Sequence, residues 1–139
     1  MKKLTIDLDE RSYPILIDNL LFKGKAYHPF IKKEEVLLIT NETIYHYHKS
    51  LILELVGGRE EAIYILPDGE VYKNADSLEK LLTKLLTLKF GRQAQLIAFG
   101  GGVIGDLVGF AASIYQRGID FVQVPTRSIP SLITTISNR

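Results

Sequence analysis

The alternation of apolar and polar positions divides the chain into short strands and helices. Apolar and polar residues alternate over residues 2–8, a polar cluster occupies 9–12, and a second short apolar run covers 13–17. This pattern predicts a β-hairpin at the N-terminus. Pro14 lies in its second strand and predicts an edge position in the sheet, because proline has no backbone N–H to donate.

Nearly continuous apolar runs follow the hairpin, and they are typical of strands that are buried on both faces of a parallel sheet. Amphipathic, helix-like stretches separate them. Strands that alternate with helices in this way indicate a parallel sheet with right-handed crossovers. The sequence therefore predicts an α/β fold: a Rossmann-like parallel sheet with flanking helices and an N-terminal β-hairpin. The predicted parallel strands cover residues 35–40, 62–66, 94–99 and 119–124.

Each predicted helix carries apolar residues at spacings of three and four. Gly57 and Gly58 should end the first helix. Asp76 should cap the second as part of a capping box with Glu79, and Gly91 should end it. The predicted buried stripes are Ile44, Tyr47, His48, Leu51, Leu55 and Val56; then Leu78, Leu81, Leu82, Leu85 and Leu86; then Val103, Leu107, Phe110, Ala111 and Ile114.

Composition narrows the classes of function. The 139 residues suffice for one domain, and 46% apolar and 24% charged residues are ordinary for a globular protein. A net charge of +1 gives no electrostatic footprint for nucleic acid or an anionic membrane. The absence of cysteine excludes disulfides, thiolate metal sites and a cysteine nucleophile. Without a long apolar run or a signal-peptide core, the expected location is the cytoplasm.

The glycine-rich turn at residues 100–102 carries the clearest chemical signal. It separates an apolar strand from a helical pattern, and glycines allow a ligand to approach the backbone closely. The start of the helix offers free N–H groups and the positive end of its dipole to a phosphate. Gly100, Gly102 and Gly105 match the G-x-G-x-x-G dinucleotide spacing. The alternative is a turn that only lets strand and helix pack together.

Two further observations bear on this turn. The next strand lacks a terminal acid that could hold a ribose, and Asp106 falls in the predicted first helical turn, so the site would be a variant one. Ligands of parallel sheets bind beyond the carboxyl ends of the strands. Asn41, residues 68–70 and the turn at 100–106 should converge there. Their convergence favours a nucleotide site over a packing turn.

Two long motifs carry a family resemblance. LPDGEVYK (residues 66–73) and FGGGVIGDLVGFAASIYQRGIDFVQVPT (99–126) resemble the N-terminal half of 3-dehydroquinate synthases, and TNET (40–43) fits as well. The resemblance covers residues 1–126. Polyol and iron-dependent alcohol dehydrogenases share the fold and a glycine triplet, but they generally lack the VIGD and DGE-x-x-K elements.

The resemblance implies an NAD-binding N-terminal domain and a helical C-terminal domain that holds zinc. Such enzymes are lyases that convert 3-deoxy-D-arabino-heptulosonate 7-phosphate, a phosphorylated sugar acid, to 3-dehydroquinate and phosphate in the shikimate pathway. Oxidation by NAD, phosphate elimination, reduction and aldol closure follow one another. A homodimer is also implied. The resemblance assigns no catalytic residue to this chain.

The resemblance also implies site residues. Glu70 and Lys73 would contact a ribose, Thr126 would lie at the nicotinamide side, and Arg117 would reach substrate across a dimer interface. The alternatives are a turn carboxylate for Glu70, a solvated surface lysine for Lys73, a helix cap for Asn41 and a helix C-terminal cation for Arg117. The implied cofactor contacts are Asn41, Asp68, Gly69, Glu70, Val71, Tyr72, Lys73, Gly101, Gly102, Val103, Ile104, Gly105, Asp106 and Thr126.

The segment 127–139, RSIPSLITTISNR, departs from the family pattern. The family continues there with a second threonine, a leucine pair, an aspartate and Gly-Gly-Lys, and this segment lacks the second threonine, the aspartate and the lysine. We expect this segment to form a short helix after Pro130 or a disordered tail. We expect the chain to be a truncated or frame-shifted domain, which is inactive alone because the zinc domain is missing. The alternative functions are a stand-alone nucleotide-binding module without catalysis and a fragment of a polyol or iron-dependent alcohol dehydrogenase.

Overall fold

The computed structural model describes residues 2–6, 13–17, 31–69, 75–126 and 132–136. Its strands form one seven-stranded sheet in the order β1-β2-β7-β6-β5-β3-β4. The strands are β1 Lys2–Ile6, β2 Tyr13–Ile17, β3 Val36–Asn41, β4 Ile63–Leu66, β5 Gln95–Phe99, β6 Asp120–Val124 and β7 Leu132–Ile136. The helices are α1 Glu42–Leu55, α2 Ala75–Thr87 and α3 Gly102–Ile114.

The centre of the sheet is parallel. β3 pairs in parallel with both β4 and β5, and β5 pairs in parallel with β6. All five residues of β5 are buried, as are the first five of β3. Helices cover both faces of the two central strands β3 and β5, which explains why these strands are buried on both sides. The predicted α/β fold is confirmed.

Successive residues of the central strands belong to two separate cores. Leu37, Leu96 and Ala98 pack with α2 and α3 on one face. Leu38 and Ile97 pack with α1 on the other. Because side chains alternate across a strand, two-sided burial requires the continuous apolar runs seen in the sequence.

The N-terminal hairpin is confirmed, but the edge position predicted for its second strand is wrong. β1 pairs antiparallel with β2 from Lys2↔Ile17 to Ile6↔Tyr13. β7 lies on the other side of β2 and pairs with Ile15, Leu16 and Ile17. Pro14 falls outside that three-residue register, so its missing N–H removes no bond to β7.

β7 also corrects the expectation for the C-terminal segment. The described residues Leu132–Ile136 form a strand and not a helix or a disordered tail, and this strand pairs antiparallel with β6. Its β-branched residues favour a strand. The segment LITTI shows no period, however, and its partners are distant in sequence, so the local pattern did not reveal it.

The predicted buried stripe is wrong in part on each of the three helices. On α1, Tyr47 is 74% exposed, whereas Ile52 and Leu55 are buried. On α2, Leu86 is 61% exposed. On α3, Phe110 and Ile114 are exposed, and the buried stripe is Ile104, Leu107, Val108, Ala111 and Ala112. α3 is apolar around most of its circumference, so periodicity alone does not identify its buried face.

The helix ends differ from the predictions as well. α2 begins at Ala75, so Asp76 lies within the first turn, where its carboxylate is 3.2 Å from Lys80 Nζ. The helix ends at Thr87, and Lys89 adopts a positive φ of 59°. Asp106 is the fifth residue of α3 and lies beyond its first turn. Within the described residues, no helix combines the length and apolar character needed to cross a bilayer.

Polar contacts tie down the amino-terminal ends of the parallel strands. Lys32 Nζ lies 2.9 Å from Asp120 Oδ2, and the buried Tyr115 donates its hydroxyl hydrogen to the backbone oxygen of Phe90. Gly91 N–H donates to Glu35 Oε1 at 2.8 Å. These contacts fix the loops at the end of the sheet that is opposite to the carboxyl ends of the strands.

The Tyr115 hydroxyl generates a prediction about stability. Tyr115→Phe leaves the Phe90 carbonyl without this donor and should lower the free energy of unfolding by about 1 kcal/mol. Burial raises the pKa of Tyr115, so the folded protein binds its proton more tightly than the unfolded chain. The wild-type contribution is therefore full below about pH 10 and is lost as pH rises through the folded-state pKa.

Chemical denaturation at pH 7 and at increasing alkaline pH measures both effects. The exposed Tyr47 provides the matched control, as Tyr47→Phe should change neither stability nor its alkaline decline. Equal behaviour of the two variants would contradict the role given to the Tyr115 hydroxyl.

Candidate functional site

The order of the parallel strands opens a gap at their carboxyl ends. The chain passes from β3 to β4 on one side and then returns to β5 on the other, so β3 and β5 flank a topological switch point. α1 and α3, which follow these two strands, cover opposite faces of the sheet. A cleft of about 320 Å³ lies here, lined by Asn41, Ile44, Leu66, Pro67, Gly69, Gly101, Gly102, Val103, Ile104, Leu107 and Thr126.

The N-terminus of α3 faces the cleft without a side-chain cap. Gly101 is the N-cap residue, and the first turn contains no acidic residue. Gly105 N–H donates to the Gly101 oxygen at 3.0 Å, whereas the N–H groups at the very start of a helix have no intrahelical acceptor. Free N–H groups and the positive dipole end together suit an anion.

The glycines of the turn serve different purposes. A Cβ added to Gly100 would lie 3.1 Å from both Ile104 Cγ1 and Ile44 Cδ1, so the protein's own packing favours glycine there. A Cβ on Gly101 or Gly102 would meet nothing within 4 Å. Both residues are exposed and line the cleft. Their missing side chains therefore leave space that a ligand can occupy.

The N-terminus of α1, by contrast, is capped by this chain's own side chains. Asn41 Oδ1 accepts from Ile44 N–H at 2.8 Å. Asp68 Oδ1 accepts from Thr43 N–H at 3.1 Å, and Asp68 Oδ2 accepts from the Thr43 hydroxyl. These hydrogen bonds, the hydroxyl bond foremost, lower the pKa of Asp68. Of the two helix starts beside the cleft, only that of α3 lacks a side-chain cap among the described residues.

Thr126 lines the cleft beyond the end of β6. It follows β6, and its Oγ1 is buried with no hydrogen-bond partner among the described residues. Buried hydroxyls in folded proteins nearly always have a partner. A polar group of a bound ligand would supply one.

The predicted convergence at the carboxyl ends of the strands is observed. Seven of the predicted site residues line the cleft: Asn41, Gly69, Gly101, Gly102, Val103, Ile104 and Thr126. Asn41 also acts as the helix cap proposed as its alternative role. Glu70, Val71, Tyr72 and Lys73 lie outside the described residues.

Four predicted residues are placed elsewhere. Asp68 is turned to the N-terminus of α1. Gly105 lies on the buried face of α3, where a Cβ would lie 2.6 Å from Gln123 Nε2, so its small size serves the packing of α3 on β6. Asp106 is exposed on α3.

Arg117 is the fourth, and it lies at the other end of the sheet. α3 leads away from the cleft over 13 residues, a length of about 20 Å. Arg117 is exposed, adopts a positive φ of 67°, and follows the end of this helix. The contact of Arg117 with substrate across a dimer interface stays a prediction. In such a dimer Arg117 would reach the substrate that is bound in the cleft of the other chain.

The sequence analysis missed the apolar wall of the cleft. Ile44, Leu66, Pro67 and Leu107 contribute to it. Ile44, Leu66 and Pro67 lie at or beside the ends of predicted elements, whereas Leu107 was predicted only as a buried residue of the third helix. An apolar wall with a few polar groups is typical of a small-molecule site.

Comparisons with known proteins agree with this geometry. A family model described as 3-dehydroquinate synthase N-terminal matches residues 63–136. A 3-dehydroquinate synthase from Vibrio atlanticus is 42% identical over 100% of this chain and 39% of its own length. One from Pseudomonas aeruginosa strain LESB58 is 41% identical over 100% of this chain and 38% of its own length. The chain thus spans about two fifths of the length of these relatives, and the match continues past Thr126, where the resemblance was expected to end.

A solved structure shares the fold. It is 2-deoxy-scyllo-inosose synthase complexed with carbaglucose-6-phosphate, NAD+ and Co2+, which superimposes with a TM-score of 0.66 at 26% identity. The similarity covers 90% of this chain and 35% of that one.

The capping role of Asn41 can be tested by stability. Asn41→Ala removes the acceptor for Ile44 N–H and should destabilise the fold by about 1 kcal/mol, whereas Asn41→Ser should restore most of that loss. Thermal or urea unfolding of the three proteins measures it. If the alanine and serine variants unfold alike, the cap does not contribute as the geometry indicates.

Proposed function

The chain belongs to the 3-dehydroquinate synthase family, and on that premise we propose that its cleft binds NAD. The single observation that carries this proposal is the uncapped N-terminus of α3, where Gly101 and Gly102 leave open space beside free N–H groups. A dinucleotide diphosphate has the charge and size for such a place. The family match and the NAD+ in the related synthase structure support the same ligand.

The residues of the chain would divide the binding between them. The first turn of α3 would hold the diphosphate, and the buried hydroxyl of Thr126 would meet the nicotinamide side. Asn41 has its oxygen engaged in the cap, so its amide nitrogen is the group left to contact the cofactor. Glu70 and Lys73 would contact a ribose, as the family resemblance implies. The apolar wall would exclude water from the nicotinamide.

We further propose the reaction of the family for the whole protein. It would convert 3-deoxy-D-arabino-heptulosonate 7-phosphate to 3-dehydroquinate and phosphate, in the cytoplasm, as part of the shikimate pathway. NAD, when bound, would accept a hydride and return it. The identity of 42% to a protein named 3-dehydroquinate synthase, against 26% to the inosose synthase, favours this substrate. Arg117 would serve the substrate site of a partner chain in a homodimer.

The proposal includes zinc only because the family resemblance implies it. Among the described residues, no three His, Cys, Asp or Glu side chains come together in a way that could hold a metal ion. The zinc ligands of the family would come from the helical domain and not from the residues that the structure describes. We therefore assign the described part of the chain to cofactor binding, with β1 to β7 as one NAD-binding unit.

A nucleotide-binding module without catalysis is the second candidate. One observation favours it: each described feature of the cleft, from the uncapped helix to the Thr126 hydroxyl, serves binding. Cofactor affinity does not distinguish the two candidates, whereas turnover does.

The glycine pair gives a test of NAD binding. Gly102→Ala places a Cβ in open space, so the variant should fold as stably as wild type. It should bind NAD+ at least about tenfold more weakly, because the methyl group occupies the position of the diphosphate. Isothermal titration calorimetry measures the affinity. Gly91→Ala, in a loop at the opposite end of the sheet, is the matched control and should bind normally. Unaltered affinity of Gly102→Ala would contradict the placement of the diphosphate.

Turnover tests the reaction. These 139 residues by themselves should release no phosphate from 3-deoxy-D-arabino-heptulosonate 7-phosphate in the presence of NAD+ and Zn2+. Addition of the remaining part of the Vibrio atlanticus relative as a separate polypeptide should restore release. Phosphate release without that addition would refute the expected inactivity. NAD+ binding with no release in the mixture would support the module.

A further inference from the structure

Asp68 and Thr43 join two loops that are distant in sequence. Asp68 follows β4, and Thr43 is the second residue of α1, which follows β3. The Thr43 N–H donates to one carboxylate oxygen of Asp68 at 3.1 Å, and the Thr43 hydroxyl donates to the other. A single residue of α1 therefore engages both oxygens of the carboxylate.

The neighbours of Asp68 form the cleft wall, while Asp68 itself does not. Pro67 and Gly69 line the cleft on either side of it in sequence. Gly69 has a φ of 113°, a conformation that side chains rarely adopt, so the loop turns there in a way that glycine permits. The chain then continues directly into Glu70.

The carboxylate also determines which helix start can receive an anion. It lies at the positive end of the α1 dipole and offsets it, together with the Asn41 cap. A phosphate there would meet a negative charge and engaged N–H groups. The start of α3 has neither obstacle.

We propose that Asp68 is a positioning residue, which fixes the β4 loop against the N-terminus of α1 and so places Pro67 and Gly69 at the cofactor, without touching the cofactor itself. This inference rests on the proposed NAD site. It departs from the direct contact that the family resemblance implied for Asp68. The effect of Asp68 on the affinity for NAD+ would be transmitted through Thr43, because a loop that is already held in its bound position loses less conformational entropy on binding.

A double-mutant cycle tests whether Asp68 affects the affinity for NAD+ through Thr43. Thr43→Val removes the hydroxyl but takes no group from the cleft lining, and it should weaken NAD+ binding about two- to tenfold. Asp68→Ala should weaken it at least as much. The double variant should bind no more weakly than Asp68→Ala, since both changes break one link. Asp68→Asn, which keeps an acceptor oxygen, should lie between wild type and Asp68→Ala.

Thr87→Val is the control. Thr87 is an exposed threonine whose hydroxyl also makes one local hydrogen bond, to the Thr83 oxygen at the end of α2. The Thr87→Val substitution should leave the affinity for NAD+ unchanged. If Asp68→Ala weakens binding while Thr43→Val leaves it at the wild-type value, Asp68 contacts the cofactor directly and the proposal is overturned.

A second measurement needs no cofactor. In the ligand-free protein, Thr43→Val should shift the backbone amide resonance of Gly69 and accelerate its hydrogen exchange, and Thr87→Val should not. An unchanged Gly69 amide overturns the proposal even if NAD+ binds. Failure of the wild-type chain to bind NAD+ counts against the proposed function instead, and the Gly69 amide still decides the role of Asp68.

Discussion

The parallel pairing of β3 with β5 is the interaction on which the rest of the structure depends. Both strands are buried on both faces, and their backbones are hydrogen-bonded in register from Val36↔Gln95 to Ile39↔Ala98. The helices that follow them cover opposite faces of the sheet. The cleft lies where these two helices diverge, beyond the carboxyl ends of the strands. The binding site is therefore a consequence of strand order more than of any one side chain.

Local signals in the sequence were sufficient for much of the fold and of the site. The apolar runs of the central strands, the hairpin and the glycine turn each arise from neighbouring residues, and each was correctly located. The signals failed where a partner was remote. β7 is defined by its pairing with β2 and β6, and the attachment of Asp68 to Thr43 joins two loops that no periodicity connects. On α3 the sequence is apolar on nearly every side, so only packing selects Ile104 and Ala111 over Phe110.

The glycines show why a spacing motif is an incomplete description of a site. Gly100 and Gly105 are constrained by the protein itself, the first by Ile104 and Ile44 and the second by Gln123. Gly101 and Gly102 have open space around them. The G-x-G-x-x-G spacing therefore counts two residues required for packing and only one that leaves room for a ligand. Steric surroundings, and not the spacing, distinguish the two kinds.

The position of β7 has a consequence for the order in which the molecule can assemble. Among the described strands, the hairpin of β1 and β2 joins the parallel sheet through β7, which lies more than 100 residues further along the sequence. During synthesis the hairpin emerges before β7, so the edge of β2 that pairs with β7 stays unpaired until that strand arrives. Closing such a long loop is entropically slow. The central parallel strands can form before then, so incorporation of the hairpin would follow the formation of the parallel sheet.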